Sequence, residues 1–166
     1  EHNGVISKVT EPYEWVHNLV ISEKPNKELR LCLDPRNLNR SIVRNYHLIP
    51  RPEDLINNVK NHKFFTVLDC HHGFYQMNLT EKSLFYCVFN TPFGKYKFNR
   101  LPQGISCAPE IYQRYDVKLF GQSAQVYFDD LIVSAATQEE HDKKLIEVFE
   151  IARKNNIKFN VKKFQY

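Results

Sequence analysis

The sequence predicts an α+β fold, with strand-forming and helix-forming runs segregated along the chain rather than alternating as in a doubly wound sheet. Three observations carry that expectation. A β-branched and aromatic run at residues 64–68 ends on Asp69. A second apolar stretch, 126–134, holds two adjacent acids at its centre. A strongly marked amphipathic helix fills 138–154.

The 166 residues, 42% hydrophobic and 13% aromatic, suffice for one domain or two small lobes. A chain of this size buries roughly 70% of its unfolded surface, enough to fold without disulfides. The formal net charge of +4 is modest, and its distribution says more than its size. Nine Lys and Arg stand against five acids between residues 21 and 63, and residues 153–166 carry five basic side chains and no acid. Cys32, Cys70, Cys87 and Cys107 occur singly, without the paired spacing of a zinc site, and are expected as small buried side chains in a reducing compartment. There is no signal peptide and no apolar run of membrane-spanning length, so secreted and membrane-embedded classes are set aside. The chain begins without Met and reads as a piece of something longer.

The first twenty residues are extended and mixed, punctuated by Pro12 and Trp15. Residues 16–22 form a strand, Lys24-Pro25-Asn26-Lys27 a turn, and 29–33 the returning strand of a basic hairpin. Pro50 and Pro52 lead into a short helix ending near Lys60, with Glu53 and Asp54 in the first turn, where the dipole favours acids. Residues 64–68 form a buried strand and 84–89 another. Thr91-Pro92-Phe93-Gly94 turns the chain into a return strand at 96–98. A helix follows at 108–120, its face set by Ile111, Tyr112, Tyr115 and Leu119. The stretch 126–134 is a hairpin with its acids at the bend. The last helix starts on a Thr137/Glu140 capping box and buries Leu145, Val148, Phe149 and Ala152.

Asp129 and Asp130 are costly where they stand, because adjacent desolvated carboxylates combine repulsion with burial. A divalent cation offsets that cost, and Mg²⁺ takes one or two carboxylates together with phosphate oxygens and water. Asp69, at the end of the other apolar strand, is placed to join them. Together the three could hold two metals about 3.5–4 Å apart, the arrangement that activates a 3′-hydroxyl and stabilises a leaving pyrophosphate. The plainer reading is that Asp129 and Asp130 are ordinary turn residues.

Tyr127-Phe128-Asp129-Asp130 resembles the Tyr-x-Asp-Asp box of reverse transcriptases. Residues 29–39, ending Asp34-Pro35-Arg36-Asn37-Leu38-Asn39, are similar to that family's fingers segment with its Asp-x-Arg-x-Leu-Asn ending. Phe65-Thr66-Val67-Leu68-Asp69 followed by Gly73-Phe74-Tyr75-Gln76 resembles motif A. Thr91 to Gly94, Leu101-Pro102-Gln103-Gly104, Ala108-Pro109 and Tyr112-Gln113-Arg114 resemble motif B, and Glu139-Glu140-His141 with Lys163 continues toward motif D. The similarity is collinear over nearly the whole chain and is nearest to gypsy-type LTR retrotransposon Pol polyproteins.

The resemblance implies a right-hand polymerase architecture: fingers and palm, with an antiparallel palm sheet and helices packed on one face. Residues 1–166 would form a fingers and palm fragment, about 1–63 mainly fingers and 64–166 mainly palm with a fingers return near 84–105, without thumb or RNase H. It implies template-directed DNA synthesis from dNTPs on an RNA or DNA template, an RNA-directed DNA polymerase activity using two Mg²⁺ ions for which Mn²⁺ may substitute. Asp69 and Asp129 would ligate both metals, with Asp130 less directly engaged because neighbouring strand residues diverge. Lys24, Arg30, Phe74, Gln103 and Lys163 would bind the dNTP: Arg30 by bidentate phosphate contact, Phe74 as a ring excluding a 2′-hydroxyl, or else as a core aromatic, and Lys163 as proton donor to pyrophosphate, or else as a solvated tail lysine. Tyr127, Phe128 and Gly104 would meet the primer–template. Implied partners are primer and template, dNTPs, and a polyprotein's thumb, RNase H and integrase, with no membrane. The implied setting is intracellular, a cytoplasmic retroelement particle or the nucleus.

Pro35 stands where the family usually has an aromatic residue and is expected to remove a donor from a strand. Phe128 is bulkier than the usual aliphatic residue. His71-His72 is expected as a solvent-facing loop pair. Two competing readings stay open: a decayed or co-opted module that binds nucleic acid or protein without catalysis, and an unrelated metal-dependent nuclease.

Overall fold

The computed structural model describes residues 3–24, 27–44 and 50–166. The chain divides into two units, Glu1–Asn45 with Phe74–Ala108, and Tyr46–Gly73 with Pro109–Tyr166.

The first unit is a five-stranded sheet in the order β1-β6-β5-β2-β3, formed by β1 (Ile6–Val9), β2 (Val16–Glu23), β3 (Leu29–Asp34), β5 (Val88–Thr91) and β6 (Gly94–Phe98). All pairings are antiparallel except β2 with β5. The expected basic hairpin is present, pairing Asn18–Glu23 with Leu29–Asp34. At its turn Pro25 and Asn26 lie outside the described residues; beside them the Lys24 amide donates to the Glu28 carbonyl (2.8 Å). Helix α1 (Arg36–Ser41) follows at once, and Pro35 sits at its N-cap rather than inside the strand, so its missing N–H interrupts no strand pairing. The core gathers Leu33, Leu38, Cys87, Phe89, Phe98, Leu101, Ile105 and Ala108. Asn39 binds the Gly104 carbonyl and the Ser106 amide (both 2.9 Å), so the fingers-like motif is a structural clasp as well as a sequence signature.

The strand expected at 84–89 begins later. Thr80 caps a short helix, α3 (Glu81–Leu84), by accepting from the Ser83 amide, and β5 starts only at Val88. Local capping wins there over apolar, β-prone side chains.

The second unit holds an antiparallel sheet, β4-β8-β7, made of β4 (Phe64–Asp69), β7 (Gln125–Tyr127) and β8 (Asp130–Ala135). Its helices are α2 (Pro52–Val59), α4 (Ala108–Phe120) and α5 (Gln138–Lys154). Leu68, Leu131, Val133 and Ala135 are buried, and α5 packs against β4 and β8. Thr137 caps α5 by accepting from the Glu140 amide, as expected. The fourth buried position of that helix is His141 rather than the partly exposed Phe149, because Thr66 Oγ1 meets His141 Nε2 at 2.9 Å inside the core.

Helix α4 is turned from its expected face. Ala108, Glu110, Tyr112, Gln113, Asp116 and Phe120 are the buried positions, while Ile111, Tyr115 and Leu119 are only half-buried. Three polar side chains, Glu110, Gln113 and Asp116, are therefore buried on this helix. No disulfide joins the four cysteines; Cys70 and Cys87 are buried and the other two half-buried. Among the described residues no helix is long and apolar enough to cross a membrane.

Asp116 is 1% exposed, and burial raises its pKa from 3.8 to about 7, the Tyr112 hydroxyl opposing the rise and the Asp129 charge adding to it. Folding takes up a proton on this carboxyl between those two values, so its contribution to stability falls as pH rises through that window and is level above it. Asp116→Asn should therefore gain thermal stability relative to the parent chain as pH is raised from about 4 to about 7, measured as the difference in Tm. A difference independent of pH would rule this out.

Candidate active site

Asp69 closes β4 and Asp130 opens β8, and the antiparallel register sets them directly opposite each other. Opposed residues carry Cβ atoms about 4.5–5.5 Å apart, so two carboxylates meet at the end of an otherwise apolar strand pair. Asp129 comes from the two-residue bend between β7 and β8, where Tyr127 pairs with Asp130. The Cys70 amide donates to the Asp129 carbonyl (2.9 Å) and ties the bend to the end of β4. Only Asp129 is at the bend; Asp130 belongs to the strand.

The bend is strained. Phe128 has φ 51°, a left-handed conformation that costs a bulky side chain of order 1–3 kcal/mol. Gln113, fully buried on α4, holds it there: the side-chain amide donates to the Val126 carbonyl (2.9 Å) and accepts from the Phe128 amide (2.7 Å). Sequence reading met Gln113 only as part of a motif. A polar residue adjoining the apolar face of an amphipathic helix was the available signal for its role.

Lys163 Nζ lies 2.7 Å from Asp69 Oδ2. It arrives there because the chain after α5 returns along β4. The Asn160 amide donates to the Asp69 carbonyl (2.8 Å), Val67 and Gln165 exchange backbone bonds, and a 3₁₀ turn at Val161–Lys163 starts on the Asn160 side chain. The bond to Asp69 is the main cause that raises the Lys163 pKa; slight burial opposes it, and the charges of Asp69, Asp130 and Asp129 assist. The Asp130 pKa is also raised. Partial desolvation at this exposed residue is the largest cause, the Asp69 charge adds to it, and Lys163 opposes both.

The donor set suits a hard divalent cation: all its ligand atoms are carboxylate oxygens, and Asp69 already holds a cationic group. Among the described residues no three His, Cys, Asp or Glu side chains are gathered as a complete ligand set. A bound ion would therefore draw further ligands from water or substrate oxygens.

The other expected site residues can each be placed within their own unit. Tyr127 is half-buried, its ring edge-on to the exposed Phe128 ring (centroids 4.9 Å). In the first unit Lys24 is engaged by Glu28 (3.0 Å), an i,i+4 pair that competes with a phosphate role, and Arg30 is exposed on β3. Phe74 is half-buried against the core, and its neighbour Tyr75 donates to the Leu31 carbonyl (2.9 Å). Gln103 is held beside β3, its carbonyl accepting from the Leu33 amide (2.8 Å) and its side chain accepting from Cys32 Sγ (3.5 Å). Gly104 has φ 109°, and any Cβ there would collide with the Leu33 carbonyl, so this glycine has a structural reason to be present. Asp34 pairs with Arg36 at 3.1 Å. His71 and His72 are exposed as expected, but their rings do converge, edge to face at 4.3 Å.

Residues 22–166 match the family model described as reverse transcriptase (RNA-dependent DNA polymerase). The chain is 33% identical over 96% of its length to the retrovirus-related Pol polyprotein from transposon 412 of Drosophila melanogaster, covering 14% of that protein. It is 32% identical over 99% of its length to the Pol polyprotein from transposon opus of the same organism, covering 17% of it. The chain thus spans a small fraction of these curated relatives. Its fold is that of the foamy viral protease-reverse transcriptase solved with double-stranded DNA: TM-score 0.89 and 25% identity, over 98% of this chain and 29% of that one. The same viral enzyme solved with an RNA/DNA hybrid gives TM-score 0.85 and 25% identity, over 97% and 22%.

Gln113→Leu keeps the volume of the side chain but leaves the Phe128 amide and the Val126 carbonyl facing methyl groups. Unfolding in denaturant should show a loss of about 1–3 kcal/mol, a buried carbonyl and a partly buried amide having lost their partners. A loss within error of zero would mean that Gln113 does not hold the bend.

Proposed function

We propose, from the premise that this chain belongs to the reverse transcriptase (RNA-dependent DNA polymerase) family, that it is a catalytic core for template-directed DNA synthesis within a gypsy-type retrotransposon Pol polyprotein. The observation that carries the reading is the β4–β8 register, which opposes Asp69 and Asp130 with Asp129 in the adjoining bend. The substrates are a primer with a free 3′-hydroxyl, an RNA or DNA template, and dNTPs; the partners are the polyprotein's thumb, RNase H and integrase. The setting is a retroelement particle inside the cell.

Asp69 and Asp129 are the principal ligands for two Mg²⁺ ions, with Asp130 assisting. When bound, such ions supply charge neutralisation at the attacking and leaving oxygens. The chain's own residues do the positioning. Lys163, kept protonated by Asp69, holds a proton at Nζ that a pyrophosphate oxygen can take as the α-phosphate bond breaks. The Arg30 guanidinium offers the β- and γ-phosphates a planar fork, the Phe74 ring stands under the sugar, and Gln103 contacts the nucleotide or its template base; these three roles rest on the family resemblance. Phosphate contacts dominate the grip on primer–template, so binding is salt-sensitive and indifferent to sequence.

The test is primer extension on an RNA template with Mg²⁺, using the chain expressed within its parent reading frame. Asp69→Asn and Asp129→Asn should each lower extension by at least about a hundredfold, Asp130→Asn by less, and chelation of Mg²⁺ should abolish it. An unsubstituted protein that binds primer–template without extending it would favour the non-catalytic binding module, and cleavage of nucleic acid without dNTPs would favour a nuclease.

In the same assay Phe74→Ala should admit ribonucleotides, narrowing discrimination against them by about 10–200-fold. Unchanged discrimination would return Phe74 to the role of core aromatic alone.

A further inference from the structure

We infer that Asn160 is a positioning residue for Lys163. It caps a turn whose flanks are pinned to β4 and α5, so the lysine backbone is fixed while its side chain can move between Asp69 and a substrate oxygen. The inference rests on the proton-donor role proposed for Lys163 above; the turn itself lies wholly in the second unit.

The segment that follows α5 runs antiparallel to β4 and meets it at two bridges, Cys70 with Phe159 and Val67 with Gln165. Between those bridges it holds more residues than the strand opposite, and the excess is looped out as the 3₁₀ turn Val161–Lys163. Asn160 closes the near side. Its amide donates to the Asp69 carbonyl (2.8 Å), its carbonyl accepts from the Lys163 amide (3.0 Å), and its side-chain Oδ1 accepts from the Lys162 amide (3.2 Å). One residue thus holds both the lysine backbone and the backbone of the aspartate that Lys163 Nζ reaches at 2.7 Å.

Gln165 closes the far side by exchanging backbone bonds with Val67 (2.9 and 3.1 Å), and the Tyr166 hydroxyl donates to Asp142 Oδ1 (3.2 Å). Asp142 also meets His141 Nδ1 (3.0 Å), and His141 Nε2 meets Thr66 Oγ1 in the core (2.9 Å). A carboxylate only accepts, so in the neutral imidazole the proton lies on Nδ1 and the Thr66 hydroxyl donates to Nε2. Phe159 and Phe164, one on each flank of the turn, both face Phe149 of α5, with ring centroids 6.1 and 6.5 Å away.

The rings and strand bonds keep the flanks in place whatever the turn contains. The Asn160 side chain decides only the path of the backbone through Lys162 and Lys163. That path matters for a proton donor, which must come within hydrogen-bond reach of the atom it serves. Lysine has a long flexible stem, and fixing its backbone confines Nζ to the end of β4.

The test is single-nucleotide incorporation by the chain expressed within its parent reading frame, with Asn160→Ala, Asn160→Ser and Lys163→Met, singly and combined. Serine keeps an oxygen that can cap the turn, and alanine does not. N160A should lower the maximal rate roughly tenfold through misplacement of the donor, with the KM for dNTP unchanged, while N160S stays near the parent. In the K163M background N160A should lower the rate no further, because the group it positions is gone. A loss of the same size with and without Lys163 would overturn the inference, as would a parent-like rate in N160A. Amide hydrogen exchange in the same chain reads the turn without activity: Lys162 and Lys163 should exchange about fivefold faster in N160A, with Gln165 unchanged. Equal exchange in N160A and the parent overturns the capped turn by itself. Should the unsubstituted protein extend no primer, the polymerase reading fails, and the exchange rates still decide whether Asn160 holds the lysine backbone.

Discussion

The second unit depends on the register of β4 against β8. Six pairs run from Phe64 opposite Ala135 to Asp69 opposite Asp130. Because side chains alternate with period 2, a slip of one residue would turn Leu68, Leu131 and Val133 toward the wrong face and separate the two acids at the same time. Burial of the apolar face and alignment of the carboxylates are therefore one constraint. The hydrophobic residues fix the register, and the register places the charge.

That coupling explains which parts were legible in the sequence. The strand at 64–68, the helices at 108–120 and 138–154, and the hairpin carrying the acids all appear where periodicity and capping put them, although the apolar stripe of the 108–120 helix does not mark its buried face. The strand expected at 84–89 was displaced by Thr80, a capping residue whose hydrogen bond outweighed the β-prone side chains after it. The facing of α4 was missed for a different reason. Counting apolar residues chose Tyr115 and Leu119, whereas the core takes Gln113 and Asp116 because the hairpin backbone and Tyr112 give them polar company. A residue's partner in three dimensions is not written in its own helix. The carboxylates themselves were legible because acids inside apolar strands demand an explanation; their supports were not, because Gln113, Asn39 and Asp116 look unremarkable one at a time.

Like charges at the end of a sheet make the local electrostatics one-sided, and the chain answers with a cation of its own. Lys163 reaches Asp69 from a segment that the Asn160 and Gln165 backbone bonds lay along β4. The pair is largely exposed on the lysine side, so it contributes little to stability. Its consequence is local: it keeps Asp69 company where a divalent cation would compete for the same oxygen, and it carries a proton to the edge of the site. Solvent-exposed charge is easily exchanged, so Lys163 is free to leave Asp69 for another partner.

The opposite holds behind Asp129. There the polar groups are buried, and buried groups cannot exchange partners with water, so their arrangement is fixed when the chain folds. The site thus has two sides with different physics, a wet side at Lys163 and Asp130 that can rearrange and a dry side at Gln113, Tyr112 and Asp116 that cannot. Asp129 stands between them, its backbone set by the bend that Gln113 holds and its Oδ1 turned inward. Rigid support on one face and replaceable charge on the other is what a carboxylate needs if it is to keep its direction while its ligands change. Apolar side chains set the pairing of β4 with β8, while the bend at Phe128 needs the polar support of Gln113. The strand register and the polar support of the Asp129 bend are for that reason distinct features of the second unit, the first set by apolar side chains and the second by the Gln113 side chain.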